Sequence, residues 1–238
     1  MRWTTEPTTE RGVIDRGFAL DAGDHAVPGV LLTPDPAGGA PEGPAPLVLI
    51  GHGGTLHKRA DAPYAVARRL VRRDRVAAAL IDLPAHGDRP PSEADLPHDA
   101  RRALAAADWS TTLDALTGLP EIDPARIGYW GLSLGSDYGL PFLAADHRAC
   151  VAILGLYGGR TIEGAATTAI PLARAVEGVI LYLVQWDDER FERAGQIELF
   201  DAIGAADKRM LAYPGTHEAT PDEGLRFARE FLVRELTR

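Results

Sequence analysis

The sequence predicts an α/β fold in which a mostly parallel central sheet of about eight strands carries helices on both faces. Short apolar runs alternate along the chain with longer amphipathic stretches, as in parallel strands joined by helical crossovers. The 238 residues are 45% hydrophobic, which suffices for one large core, so we expect a single domain over residues 1–238. About 20 residues separate the predicted strands that end at Leu156 and begin at Val179, so we expect no large lid domain.

The first elements depart from this alternation. Two strand-like runs, residues 13–20 and 27–33, are joined by a turn-rich stretch, which predicts an antiparallel hairpin at one edge of the sheet. Residues 34–46 are rich in Pro, Gly and Ala and predict a surface loop. The apolar run that follows, residues 47–50, is short enough to be a strand buried on both faces.

The remaining elements alternate regularly. Pro63 stands in the first turn of a helix, where its missing N–H costs nothing, whereas Pro141 falls inside a helix and should kink it. Residues 220–223 predict a capping box at the start of the last helix. The predicted helices are residues 61–73, 99–117, the stretch after Ser133, 191–203 and 221–236, and the predicted strands are residues 76–82, 126–130, 149–156, 179–185 and 208–213.

Composition excludes several classes of partner. The net charge is −9 and the 25 lysines and arginines are scattered, so we expect no nucleic-acid partner. Neither a signal peptide nor a segment able to span a bilayer is visible, so we expect a cytoplasmic protein that binds no membrane. Cys150, the only cysteine, lies in an apolar run typical of a core, and no His, Asp or Glu cluster has metal-ligand spacing. We therefore expect neither a metal nor a cofactor.

A Gly-Leu-Ser-Leu-Gly motif at residues 131–135 directly follows a strand-like run. A nucleophilic serine at the tip of a strained strand-to-helix turn needs glycine two residues away on each side, because side chains there would clash with the neighbouring strand and helix. With four serines and 25 glycines in the chain, about 0.04 such matches arise by chance. The motif predicts a nucleophile elbow with Ser133 as the nucleophile; the alternative is a serine that only caps the next helix.

A serine nucleophile needs a histidine base and an acid that orients it, and after an elbow serine these follow in the order acid, histidine. Of the seven histidines only His147 and His217 follow Ser133, and His147 lies at the far end of the next helix. His217 follows the last predicted strand, where it is placed to accept the serine proton. Three carboxylates at residues 187–189 follow the preceding strand, and we expect those not used to orient the histidine to cap the next helix.

A glycine-rich stretch follows the first predicted buried strand. A backbone N–H there would complement that of Leu134 in binding the oxyanion of a tetrahedral intermediate. We expect Gly54 to be this second donor, with Gly53 as the alternative. His52 is expected to be a structural hydrogen-bonding residue, and a dinucleotide turn is excluded because Leu56 stands where that motif needs glycine.

Further residues at strand ends are candidates for a substrate pocket. His86 lies in the loop after the second buried strand, although a buried turn histidine is the alternative. Tyr157 and Trp186 follow later strands and are candidates for the acyl or alcohol pocket, with plain packing as the alternative. Gly53 completes the candidate pocket residues.

The motif at residues 131–135 in this setting resembles the α/β-hydrolase superfamily, in particular its dienelactone hydrolase-like and small bacterial esterase branches. The likeness implies an α/β-hydrolase fold and covers most of the chain, including residues 27–34, 52–54, 82–87 and 123–127. Two departures stand out. Dienelactone hydrolases proper use cysteine where this chain has Ser133, and Trp186 replaces the glycine that many relatives carry before the acid.

Residues 188–191 are similar to the acid and helix-starting turn of related sequences, which implies Asp188 as the triad acid, with Asp187 and then Glu189 as alternatives. The resemblance and the motifs together predict a serine hydrolase that cleaves carboxylic esters of small or compact substrates through an acyl-enzyme intermediate. A thioesterase or lactonase on the same triad is the alternative, as is a catalytically silent small-molecule receptor on the same fold. We expect a monomer or homodimer with a small-molecule ester substrate.

Overall fold

A sheet of ten strands forms the centre of the part of the chain that the computed structural model describes, residues 1–39 and 43–238. Residues 40–42, which belong to the predicted loop at 34–46, lie outside the described residues. The strands are β1 (Arg2–Trp3), β2 (Thr8–Glu10), β3 (Val13–Asp21), β4 (Ala26–Pro34), β5 (Ala45–Gly51), β6 (Ala77–Ile81), β7 (Ile122–Gly131), β8 (Ala149–Gly155), β9 (Val179–Gln185) and β10 (Asp207–Tyr213).

The strands lie in the order β1-β3-β4-β6-β5-β7-β8-β9-β10, and β2 pairs with β3. The strands from β6 to β10 in this order are mutually parallel, whereas β1, β2, β3 and β4 pair antiparallel. The prediction of a mostly parallel sheet is confirmed. The hairpin of β3 and β4 is not at the edge as predicted, because β1 and β2 pair with β3 on its outer side. The sequence does not reveal β1 and β2, because strands of two and three residues are too short to show a recognisable pattern of apolar residues.

Helices cover both faces of the sheet, as predicted. Side chains alternate along β5, so that Leu47 and Leu49 enter one hydrophobic cluster while Val48 and Ile50 enter the other. None of the helices in the described part of the chain is both long and apolar enough to cross a membrane. The helices are α1 (Asp61–Arg69), α2 (His98–Thr117), α3 (Leu134–Ala145), α4 (Ala169–Ala173), α5 (Arg193–Ala202) and α6 (Asp222–Leu236).

Two local predictions need correction. The helix predicted over residues 61–73 continues past α1 as a single π-helical turn, Leu70–Asp74. The predicted capping box is wrong, because α6 follows Pro221 with no side-chain cap, and the Thr220 hydroxyl instead lies 2.8 Å from the side-chain amide of Gln185. The Thr220 hydroxyl thus pairs with a residue distant in the sequence instead of capping α6.

Candidate active site

Ser133 lies in the sharp turn between β7 and α3, with φ 57° and ψ −119°. This backbone conformation is strained for any residue other than glycine. The two flanking glycines are required by close backbone contacts: a Cβ on Gly131 would lie 2.4 Å from the carbonyl oxygen of Gly135, and a Cβ on Gly135 would lie 2.6 Å from that of Gly51. The turn presents the Ser133 side chain at the carboxyl edge of the sheet.

Ser133, His217 and Asp188 form a continuous hydrogen-bonded chain. Ser133 Oγ lies 2.8 Å from His217 Nε2, and His217 Nδ1 lies 2.8 Å from Asp188 Oδ2. Because a carboxylate only accepts, Nδ1 donates to Asp188 and leaves Nε2 to accept the serine proton. Both His217 and Asp188 are buried. The loops after β9 and β10 therefore meet at the serine turn.

The carboxyl group of Asp188 is held in its ionised form. Burial by itself would raise its pKa, but the bond to His217 and the backbone N–H groups of Arg190 and Phe191 lower the pKa below its ordinary value of 3.8. The two N–H groups donate to Oδ1 at 2.8 and 3.1 Å, which leaves Oδ2 for the imidazole. The carboxylate is thereby fixed in orientation as well as in charge.

The neighbouring carboxylates also bind the histidine loop. Asp187 Oδ2 accepts the N–H of Gly215 at 3.0 Å, and Glu189 Oε2 accepts the backbone N–H of His217 at 2.8 Å. The expectation that these two acids cap the next helix is wrong, since α5 begins after Glu192 without a side-chain cap. All three consecutive acids therefore anchor one loop.

Two backbone N–H groups next to Ser133 lack a hydrogen-bond partner among the described residues. They belong to Leu134, the first residue of α3, and to Gly54, in the loop after β5. His52 holds that loop: its Nε2 accepts the N–H of Leu83 at 3.0 Å, so its Nδ1 donates to the carbonyl of Gly53 at 2.8 Å. Burial lowers the pKa of His52 to about 4, so the ring is neutral near neutral pH.

Two cavities open on either side of Ser133. The cavity on the α2 and α3 face of the sheet has a volume of about 620 Å³ and is called the polar cavity here after the charged side chains of α2 and α3 in its wall. The cavity on the α1 and α6 face has a volume of about 400 Å³ and is called the apolar cavity after the side chains that those helices contribute, although Arg190 and Glu218 also line it. Its lining includes His217, which the polar cavity lacks. The polar cavity is lined among others by His98, Asp99, Asp137, Tyr157, Thr168 and Phe191, and the apolar cavity by Leu56, Pro63, Val66, Trp130, Leu132 and Leu225.

Two of the four predicted pocket residues line these cavities, Tyr157 the polar one and Gly53 the apolar one. Two do not. His86 Nδ1 lies 2.9 Å from the carbonyl oxygen of Pro84, and its ring contacts His52. Trp186 is exposed and stacks with a nearby guanidinium, that of Arg193.

Sequence reasoning missed most of the polar wall. The sequence spacing could have identified Asp137, because it follows Ser133 by four residues and so lies on the same side of α3. No sequence pattern could have identified His98 and Thr168, because they belong to elements far from Ser133 in the sequence. Phe191 packs edge-on against Tyr157, with ring centres 4.9 Å apart, and also contacts His217.

Comparison with known proteins places the chain in a family. No family model matches it. An uncharacterised protein of Mycobacterium tuberculosis is 37% identical over 123 residues, which cover 51% of this chain and only 38% of that protein. A cold-adapted esterase from an Arctic intertidal metagenomic library has 34% identity, 99% coverage of both chains and a TM-score of 0.86. The chain belongs to the α/β-hydrolase superfamily.

The chain resembles this esterase over nearly its whole length, whereas it spans only 38% of the Mycobacterium protein. The dienelactone hydrolase of Anabaena variabilis shares the fold, with a TM-score of 0.68, 17% identity and coverage of 95% of this chain and 98% of that one.

Proposed function

We propose that this α/β-hydrolase cleaves carboxylic esters of small or compact substrates through a Ser133–His217–Asp188 triad. The observation that carries the proposal is the unbroken chain of 2.8 Å contacts from the serine hydroxyl through the imidazole to the buried carboxylate. A nucleophile within hydrogen-bond reach of a base that is itself oriented by an acid is the arrangement that acyl transfer requires.

In the proposed reaction His217 Nε2 removes the hydroxyl proton of Ser133 as Oγ attacks the ester carbonyl carbon. The unpartnered N–H groups of Leu134 and Gly54 bind the negative charge that develops on the carbonyl oxygen. His217 then gives its proton to the departing alkoxide, which leaves an ester between the acyl group and Ser133. Water, deprotonated by the same histidine, attacks that ester, and the carboxylic acid and free serine are released.

Asp188 serves the imidazole in both half-reactions. It holds Nδ1–H, so that Nε2 faces the serine, and it stabilises the imidazolium while the proton is carried. Its lowered pKa keeps it charged throughout the neutral range.

The test is covalent labelling with a fluorophosphonate, followed by intact mass. The wild type should gain one adduct at Ser133, and Ser133→Ala and His217→Ala should gain none. Ser92→Ala, a change at an exposed serine, is the matched control and should label like the wild type. No adduct on folded wild-type protein would contradict the triad and favour the silent receptor. A stoichiometric burst of p-nitrophenol from p-nitrophenyl butyrate would report the acyl-enzyme.

A further inference from the structure

A buried carboxylate in the wall of the polar cavity fixes the orientation of a histidine. Asp137 Oδ2 lies 2.7 Å from His98 Nε2, while Oδ1 accepts the hydroxyl of Tyr157 at 2.7 Å and lies 3.0 Å from Arg102 Nε. Because the carboxylate only accepts, Nε2 of His98 carries a proton. In the neutral ring Nδ1 is then an acceptor, and it has no partner among the described residues.

Three hydroxyl donors of this wall are directed back into the protein, whereas Thr161 Oγ, in the lining of the same cavity, is buried without a partner among the described residues. Tyr157 donates to the buried carboxylate, and Thr167 Oγ donates to the carbonyl of Gly158 at 2.8 Å. Thr168 Oγ donates to Asp99 Oδ1 at 3.0 Å. None of these hydroxyl protons is left for a ligand, since each hydroxyl has only one.

The α2 side of the cavity presents hydrogen-bond acceptors. They are Nδ1 of His98, whose side chain is 48% exposed, and Oδ2 of Asp99, which has no partner in the described part of the chain. On the α2 side, a carboxylate on the substrate would lie against Asp99 and Asp137, both negative, where Arg102 is the buried cation. Arg190 also lines the cavity, and its guanidinium lies 3.1 Å from Glu218 Oε1. A neutral group with hydroxyl protons to donate fits this wall.

The position of His217 indicates which part of the ester enters the polar cavity. The leaving oxygen must face His217 Nε2 to be protonated, and His217 lines only the apolar one of the two cavities. The alcohol therefore departs on the apolar side. The acyl group extends from the carbonyl carbon past Leu134 into the polar cavity.

We propose that the polar cavity is an acyl subsite that selects hydroxylated acyl groups, whose O–H donates to His98 Nδ1 or to Asp99. The inference rests on the proposed function, since it takes Ser133 and His217 as the reacting pair. Asp137 acts through His98 as a positioning residue.

Two matched pairs of substrates test the assignment. The p-nitrophenyl esters of butyrate and 3-hydroxybutyrate differ only in an acyl hydroxyl, and ethyl butyrate and 2-hydroxyethyl butyrate differ only in an alcohol hydroxyl. Each kcat/KM ratio is normalised to hydroxide-catalysed hydrolysis. We expect about a 3- to 10-fold preference for the hydroxylated acyl group, the value of one hydrogen bond, and less than about twofold for the hydroxylated alcohol. The reverse pattern, or no preference in either pair, would overturn the proposal.

Variants of His98 test whether this residue causes the preference for the hydroxylated acyl group. His98→Leu removes the acceptor and should abolish most of it, whereas His98→Gln keeps an acceptor oxygen and should retain part of it. His147→Leu is the matched control, because the side chain of His147 is also about half exposed but lies outside both cavities. A preference that survives in His98→Leu combined with Asp99→Ala would refute the subsite.

Failure of the subsite and failure of the triad give different results. Absence of the preference in the wild-type protein, with fluorophosphonate labelling of Ser133 intact, would count against the hydroxyl subsite alone. Ester hydrolysis that persists in Ser133→Ala would count against the proposed function on which the subsite rests.

Discussion

The carboxylate of Glu189 accepts the backbone N–H of His217, at 2.8 Å, directly beside the aspartate that accepts the ring N–H of the same histidine. This bond lowers the pKa of Glu189 below its ordinary value of 4.5, so the anchor is present at neutral pH. Two consecutive carboxylates thus hold His217, one by its backbone N–H and the other by its ring N–H.

Removing this anchor should slow the reaction without abolishing it. We expect Glu189→Ala to lower kcat by up to about tenfold, because the imidazole is less well positioned, although water replaces the exposed carboxylate. Glu189→Gln retains an acceptor oxygen and should stay near the wild-type rate. Steady-state kinetics with p-nitrophenyl butyrate measure both, and equal rates in all three proteins would show that the bond does not position His217.

The proposed oxyanion donor in the loop after β5 can be removed without changing a side chain of the triad. Gly54→Pro deletes the N–H and should reduce kcat about 10²- to 10³-fold. Gly54→Ala retains it, and nothing lies within 4 Å of the added Cβ, so this control should keep most of the activity. Circular dichroism verifies the fold of both variants. If the two lose activity equally, the N–H of Gly54 is not a donor to the oxyanion.

The strained backbone at the nucleophile should lower the stability of the fold. Glycine adopts φ 57° and ψ −119° readily, whereas alanine is strained there. Glycine also gives the unfolded chain more entropy, which offsets part of this gain. We therefore expect the free energy of unfolding of Ser133→Gly to exceed that of Ser133→Ala by about 1 kcal/mol. The two variants lose the same bond to His217, which makes alanine the proper reference. Urea unfolding measures the difference, and a less stable glycine variant would refute strain at this residue.

His52 should make the protein sensitive to mild acid. Burial lowers its folded pKa from 6.5 to about 4, so the stability that the neutral ring contributes is complete above pH 6.5 and is lost as the pH falls toward about 4. The loss amounts to at most about 3 kcal/mol. His52→Gln keeps a donor and an acceptor but does not titrate, so its free energy of unfolding should fall less over this range. Parallel slopes for the two proteins would contradict the assignment.

Much of the architecture could be predicted because it depends on neighbours in the sequence. Short continuous apolar runs, alternating with amphipathic stretches, predicted the parallel strands. The glycines at 131 and 135 predicted the serine turn because their close backbone contacts exclude any Cβ. The order of acid and histidine after Ser133 placed both in loops that follow parallel strands.

Other features depended on contacts between distant segments. The sequence by itself left open which of the acids at residues 187–189 would face His217, and it contained no sign that the other two bind the same loop. It also placed Trp186 in a pocket that this side chain does not reach, and missed the contact between His98 and Asp137, residues 39 positions apart.

The sequence alone therefore determined the α/β architecture and the turn that carries Ser133, since backbone sterics act within a few residues and each apolar run or amphipathic stretch is continuous in the sequence. Only the tertiary structure decided which carboxylate meets His217 and which side chains line the two cavities. Those outcomes depend on the directions in which side chains leave separate loops and helices, and these directions are set only when the elements pack together.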